Sequence, residues 1–241
     1  MRSLFAAVLM AGASAIAAPA LAADMFYPPV IEIPDVDAGL GGAFYLRGSV
    51  AMNGMWAHTS RHPDLNVDVP VTRGGSGLSL GVGVGYELGN GLRFDVTADT
   101  FSNDGMTGEV PTGTTLTAGP HSLNLRSTIV LANAYYDYYL SGDGPGKGTF
   151  VYGGAGVGFA NNHYIYTTTP GTGAQDSVGH NLSPAAALMV GFGVDYGDLV
   201  ADIGYRGIYV NSIRNEVAAS TYEVNNSLAH EIRGTVRYRF N

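Results

Sequence analysis

Arginines and carboxylates recur at even spacing in several stretches of this chain. Arg93, Asp95 and Asp99 form one such set, Asp202 and Arg206 a second, and Glu231, Arg233, Arg237 and Arg239 a third. Side chains alternate faces along a β-strand, so charges at even spacing share one face. Arg47 and Arg126 join them on the same reasoning, giving eleven residues assigned to one interior: Arg47, Arg93, Asp95, Asp99, Arg126, Asp202, Arg206, Glu231, Arg233, Arg237 and Arg239. Both signs confined together can do two things. They can pair into a salt-bridged plug, since buried charges must be matched, or they can line a narrow polar channel for ions or small solutes. The plug is the preferred reading, because a small barrel has an interior just wide enough to be filled by side chains.

Other chemistry finds little support. The six histidines are His58, His62, His121, His163, His180 and His230, and five of them fall in expected loops or at loop edges. His121 and Ser122 are adjacent, so on a strand they face opposite sides and cannot make a nucleophile–base pair. No Asp/His pair has suggestive spacing, and a non-enzyme is expected. His58, His62, His163 and His180 could ligate a metal or haem, and Tyr164, Tyr166 and Thr167–Thr169 could contact a partner, which keeps a loop-borne adhesin or haem receptor as the alternative. The plainer expectation is a hydrophilic shield, with no cofactor and no metal site. There is no cysteine, which excludes disulfides and thiolate metal sites. A net charge of −8 argues against nucleic-acid binding, which needs a basic footprint.

The elements that position these charges are strands with apolar residues on the opposite face. Leu78, Leu80, Val82, Val84 and Tyr86 alternate with Ser79, Gly81, Gly83 and Gly85. Eight such strands are expected: Phe44–Trp56, Leu78–Glu87, Leu92–Phe101, Leu123–Tyr139, Thr149–Phe159, Ala186–Tyr196, Leu199–Ile208 and Leu228–Phe240. The fourth breaks the pattern, since Leu123, Leu125, Ile129 and Leu131 share parity with Asn133 and Asp137. A bulge near Val130–Ala132 is favoured over placing Asn133 and Asp137 at the membrane interface, and Tyr135, Tyr136, Tyr138 and Tyr139 then form part of an aromatic belt at one rim. Connections alternate: residues 57–77, 102–122, 160–185 and 209–227 are long and polar, while Leu88–Gly91, Leu140–Gly148 and Gly197–Asp198 are short.

Apolar outside, charge inside, and long and short connections on opposite rims are the pattern of a transmembrane β-barrel. The fold class expected is all-β, an eight-stranded antiparallel transmembrane β-barrel with a cleaved signal peptide. Residues 1–22 read as that signal, with Arg2, an apolar run from Leu4 to Ala18 and Ala20-Leu21-Ala22 as the cleavage site. Residues 23–42 read as a Pro-rich periplasmic lead, and 43–241 as the barrel. A soluble eight-stranded barrel with its apolar face inward is disfavoured, because only 13% of residues are charged and its surface would be mostly glycine.

"FYLRGSV" at Phe44–Val50, "GVGVGYEL" at Gly81–Leu88, "NAYYDYYL" at Asn133–Leu140, "YGGAGVGF" at Tyr152–Phe159, "DIGYRG" at Asp202–Gly207 and the terminal "VRYRF" at Val236–Phe240 occur in this order. Together they resemble the small outer-membrane β-barrel proteins of the opacity-porin type, in particular those of alphaproteobacteria. The resemblance implies the outer membrane of a Gram-negative bacterium. It implies contact with outer-membrane lipids and lipopolysaccharide, and a terminal aromatic read by the outer-membrane insertion machinery; here Phe240 is followed by Asn241. The function expected is a structural role in envelope integrity with weak porin activity at most.

Overall fold

A computed structural model describes residues 42–57, 59–61, 68–113, 118–142, 146–167, 179–214 and 223–240. The expected signal peptide, the Pro-rich lead except Gly42, and Asn241 lie outside the described residues. Among the described residues ten strands form one antiparallel sheet: β1 (Ala43–Trp56), β2 (Thr59–Arg61), β3 (Asp68–Arg73), β4 (Gly75–Glu87), β5 (Leu92–Val110), β6 (Gly119–Ser141), β7 (Gly148–Thr167), β8 (Gly179–Asp195), β9 (Leu199–Arg214) and β10 (Glu223–Phe240). Eight of them, β1 and β4 through β10, close a ring by the pairing of β1 with β10, from Phe44↔Phe240 to Trp56↔Leu228. Closure leaves no free edge, so the wall's backbone donors and acceptors are paired within the sheet, as a hydrocarbon surrounding requires. The two short strands extend the wall: β2 carries β1's pairing with β10 onward, Thr59 opposite Asn225, and β3 pairs with β5 ahead of β4.

The alternation read from the sequence sets the wall's two faces. Phe44, Leu46, Val50 and Met52 on β1, Leu80, Val82 and Val84 on β4, and Leu188, Val190 and Phe192 on β8 are exposed on the outside. Their odd-numbered neighbours on β1, such as Tyr45, Arg47 and Asn53, are buried. At one end the connections are short. Tyr196 N donates to Leu199 O at 2.9 Å to close the turn, and Gly197 takes φ +94°, a conformation that favours glycine. Short turns and both ends of the ring lie at this rim, which is the periplasmic one in barrels of this architecture.

Two expectations change. The strands run far into the segments expected to be long loops, β6 reaching 23 residues. The fourth barrel strand also has no phase flip near Val130–Ala132. The pairing of β6 with β7 holds one register from Ser122↔Thr167 to Tyr139↔Phe150. The irregularity lies on the neighbour, β5, between Asn103 and Met106, where Gly105 takes φ +80° and its N–H donates to Asn124 Oδ1 at 3.1 Å. Consequently Leu125, Ile129 and Leu131 point inward and are buried, on the same face as Asn133 and Asp137. The tyrosines divide by parity: Tyr136 and Tyr138 face outward in the belt, while Tyr135 is buried and Tyr139 half-buried on the inner face.

Candidate functional site: the charged lumen

Six arginines and seven carboxylates face the interior among the described residues. The arginines are Arg47 on β1, Arg93 on β5, Arg206 on β9, and Arg233, Arg237 and Arg239 on β10. Period-two alternation, uninterrupted over each strand's lower part, brings them to one face. All six are arginine, whose planar fork engages two carboxylates at once where an ammonium offers a single point charge.

Nearest the long-connection side, four residues close a ring. Arg206 meets Asp99 at 2.8 Å and Glu231 at 2.7 Å; Arg233 meets Asp99 at 2.7 Å and Glu231 at 2.9 Å. Asp99 comes from β5 and the other three from β9 and β10, so the ring bridges the lumen. Ser49 accepts a further hydrogen bond from Arg233 at 2.6 Å.

A second network fills the periplasmic part. Arg47 pairs with Asp95 at 2.8 Å, and Arg93 with Asp137 at 3.0 Å. Arg237 bridges Glu87 at 2.5 Å and Asp137 at 3.3 Å, with Asp202 at 3.9 Å from its Nε. Arg239 ties Glu87 at 2.6 Å to Asp195 at 2.7 Å. Tyrosines complete it: Tyr45 donates to Asp95 at 2.9 Å, Tyr139 to Asp195 at 2.9 Å, and Tyr152 to Asp202 at 3.2 Å. The Arg93 guanidinium lies 3.8 Å from the centre of the Tyr135 ring, a cation–π contact. Tyr152 occupies its place because Gly191 and Gly204 stand beside it, where a Cβ would collide with the ring or its hydroxyl.

Ten of the eleven residues assigned to the lumen from the sequence are therefore inside, and one is not. Arg126 is on the outer wall, its side chain 48% exposed, paired with Asp104 at 2.6 Å. Reading Leu125 and Ile129 as lipid-facing puts Arg126 inside; with those leucine and isoleucine side chains buried, Arg126 follows the outward parity of Thr128 and Val130. Three interior carboxylates escape the sequence reading: Glu87, Asp137 and Asp195. Extending the same parity to the ends of the second and sixth expected strands finds Glu87 and Asp195, and Asp137 follows from the inner face that it shares with Asn133.

Above the charges the lumen changes character. Met55, Phe101, Leu125, Ile129, Val210 and Ala229 pack inward as an apolar layer. Small neutral groups line the wall among them, with Asn103 Nδ2 donating to Asn53 Oδ1 at 2.9 Å and Ser127 Oγ to Asn162 Oδ1 at 2.9 Å. Three cavities described inside the barrel hold about 10 Å³ each, one beside Arg47, Arg206 and Arg233, one beside Glu87 and Asp137, and one in the apolar layer. That is room for about one water apiece.

A closed eight-stave ring with an apolar outer band and a charged interior is the architecture of an integral outer-membrane β-barrel, and this protein is of that class. No protein-family model matches the sequence, and no curated protein does. Among solved structures it is similar to Neisserial surface protein A, at 21% identity over 83% of this chain and 99% of that one, with a TM-score of 0.52. It also aligns with the outer membrane protein OprG of Pseudomonas aeruginosa, at 15% identity over 83% of this chain and 97% of that one, with a TM-score of 0.45. The first likeness supports the fold, and the second is too distant to add to it.

Proposed function

We propose that this protein is a structural barrel of the Gram-negative outer membrane, contributing envelope integrity, with a lumen closed to steady ion flow. The observation that carries this reading is the filling of the interior at two successive levels. The ion-pair networks span the lumen from Glu87 to Glu231, and the apolar layer around Leu125 and Ile129 lies above them. A hydrated ion needs far more space than the roughly one-water cavities between these side chains. The alignment of opposite signs across the lumen also leaves little uncompensated charge to draw an ion in. A channel for weak diffusion would need the Arg206–Asp99–Arg233–Glu231 ring to open. Against catalysis, His121 is buried on the inner face while Ser122 takes the opposite parity. Lipids and lipopolysaccharide are the partners of the outer wall in this reading, and assembly through the insertion machinery follows from the barrel class.

The test is electrical. Refolded protein in planar bilayers is expected to give no steady single-channel conductance at moderate voltage. A persistent open level in the parent protein would replace the plug with a pore.

A further inference from the structure

His163 on β7 and His180 on β8 stand directly opposite each other in an antiparallel pair. Both are exposed, on the outer wall, in the part of the barrel above the apolar band. Their rings lie 5.8 Å apart, centre to centre, with planes inclined by 34°. We propose that this pair is a two-imidazole site for a borderline divalent transition-metal ion of the zinc, copper or nickel class. The remaining coordination positions would be open to water or an exchangeable ligand.

The geometry suits one shared ion. With metal–nitrogen bonds of about 2.0–2.1 Å, two imidazoles on a tetrahedral centre place their ring centres about 5.2 Å apart. The observed separation exceeds that by a few tenths of an ångström, within reach of small side-chain rotations or a wider angle at the metal. The backbone beneath is fixed in advance, because β7 and β8 pair without a break from Gly148↔Asp195 to Tyr164↔Gly179.

The surroundings permit a cation. The residue opposite His163 on β6 is Arg126. Its guanidinium is turned the other way, holding Asp104 with Nη1 at 2.6 Å and Nη2 at 3.0 Å, so its charge is matched on the side away from the imidazoles. The ligand type then selects the ion: imidazole suits zinc, copper and nickel, whereas magnesium and calcium need oxygen donors. No group of three or more His, Cys, Asp or Glu residues gathers to hold a metal among the described residues, so this is a two-point site on a surface and not an enclosed cage.

The experiment uses Cu²⁺ as the probe on the refolded full-length barrel in detergent micelles. Electron paramagnetic resonance at one equivalent should show two nitrogen ligands, and only a large excess of Zn²⁺ should compete the copper off, since imidazole holds copper the more tightly of the two. His163→Ala and His180→Ala should each weaken binding at least tenfold and reduce the nitrogen count. His230→Ala should leave binding unchanged, since that ring is engaged by the Tyr205 hydroxyl at 2.5 Å on another part of the wall. All three variants alter exposed positions, and heat-modified gel mobility confirms that each is a folded barrel. Copper binding by His163→Ala or His180→Ala equal to the parent, or a parent spectrum showing one nitrogen or none, would overturn the site. The outcome is independent of whether the lumen conducts.

Discussion

Along β5, residues Leu92 to Thr100 send Phe94 and Val96 outward and Arg93, Asp95 and Asp99 inward. A few residues further on, the same strand sends Phe101, Met106 and Val110 inward and Asp104 outward. The neighbouring β6 does the same in reverse chain direction: Asn133 and Asp137 are interior near the periplasmic rim, Leu125 and Ile129 near the other. β6 carries its alternation unbroken from one regime to the other, whereas β5 moves its inward face from odd to even positions at the irregularity between Asn103 and Met106, where Gly105 sits. What differs is the medium outside. In the lower part the outer face meets hydrocarbon and must be apolar, so charge is relegated to the interior, where it pairs. In the upper part the outer face meets water, so Asp104, Arg126, His163 and His180 stand outside and the apolar residues fill the inside, as in a soluble barrel.

Five substitutions, two of them compared as a pair, bear on this comparison. The largest effect is expected at the lower interior. Asp99→Ala removes the partner shared by Arg206 and Arg233 and leaves buried guanidinium charge unmatched, which costs about 3–5 kcal/mol. Unfolding in lipid vesicles measures it, and a loss under about 1 kcal/mol would mean that the lower lumen is wet. Next, Leu125→Ala in the upper interior should cost about 2–5 kcal/mol, the range for truncating a buried leucine. If the same assay shows no change, the upper part is not a packed core. Third, Val82→Arg on the lower outer wall should cost roughly 2–4 kcal/mol near the bilayer midplane, whereas Ser76→Arg, outward on the same strand but above the band, should be near neutral. Equal costs at the two positions would erase the boundary. Smallest is Arg126→Ala: an exposed ion pair contributes about 0–1 kcal/mol, and a chemical denaturation curve indistinguishable from the parent is the expected result.

Much of this was legible in the residues because period-two alternation is blunt where hydrocarbon enforces it. Val82, Val84, Phe94, Val96, Leu188 and Val190 could face only lipid, and that fixed the parity of Asp95, Asp99, Arg206 and Glu231 with no knowledge of the third dimension. The reading failed where the medium changed along a strand. Leu125, Ile129 and Leu131 look like lipid-facing residues, and treating them so required a bulge that does not exist and drew Arg126 inside with it. Sequence alternation reports which residues share a face. It does not report which face is wet, and in β6 that has to be settled by the neighbours β5 and β7. Which arginine meets which carboxylate was equally beyond reach, since Arg206 and Asp99 lie 107 residues apart and meet only when the ring closes.

The length of β6 carries one more consequence. At about 3.3 Å per residue and a tilt near 40°, its 23 residues rise roughly 58 Å along the axis, about twice the height of an apolar band of ~25 Å. The wall therefore has a waterline. Sinking the barrel by one row of residues draws the level of Asp104, Arg126 and His163 toward hydrocarbon, and lifting it bares a ring of valines, leucines and phenylalanines to water. Both displacements are uphill, so the protein floats at one draught, which sets how far the upper ends of β5, β6 and β7 stand above the lipid.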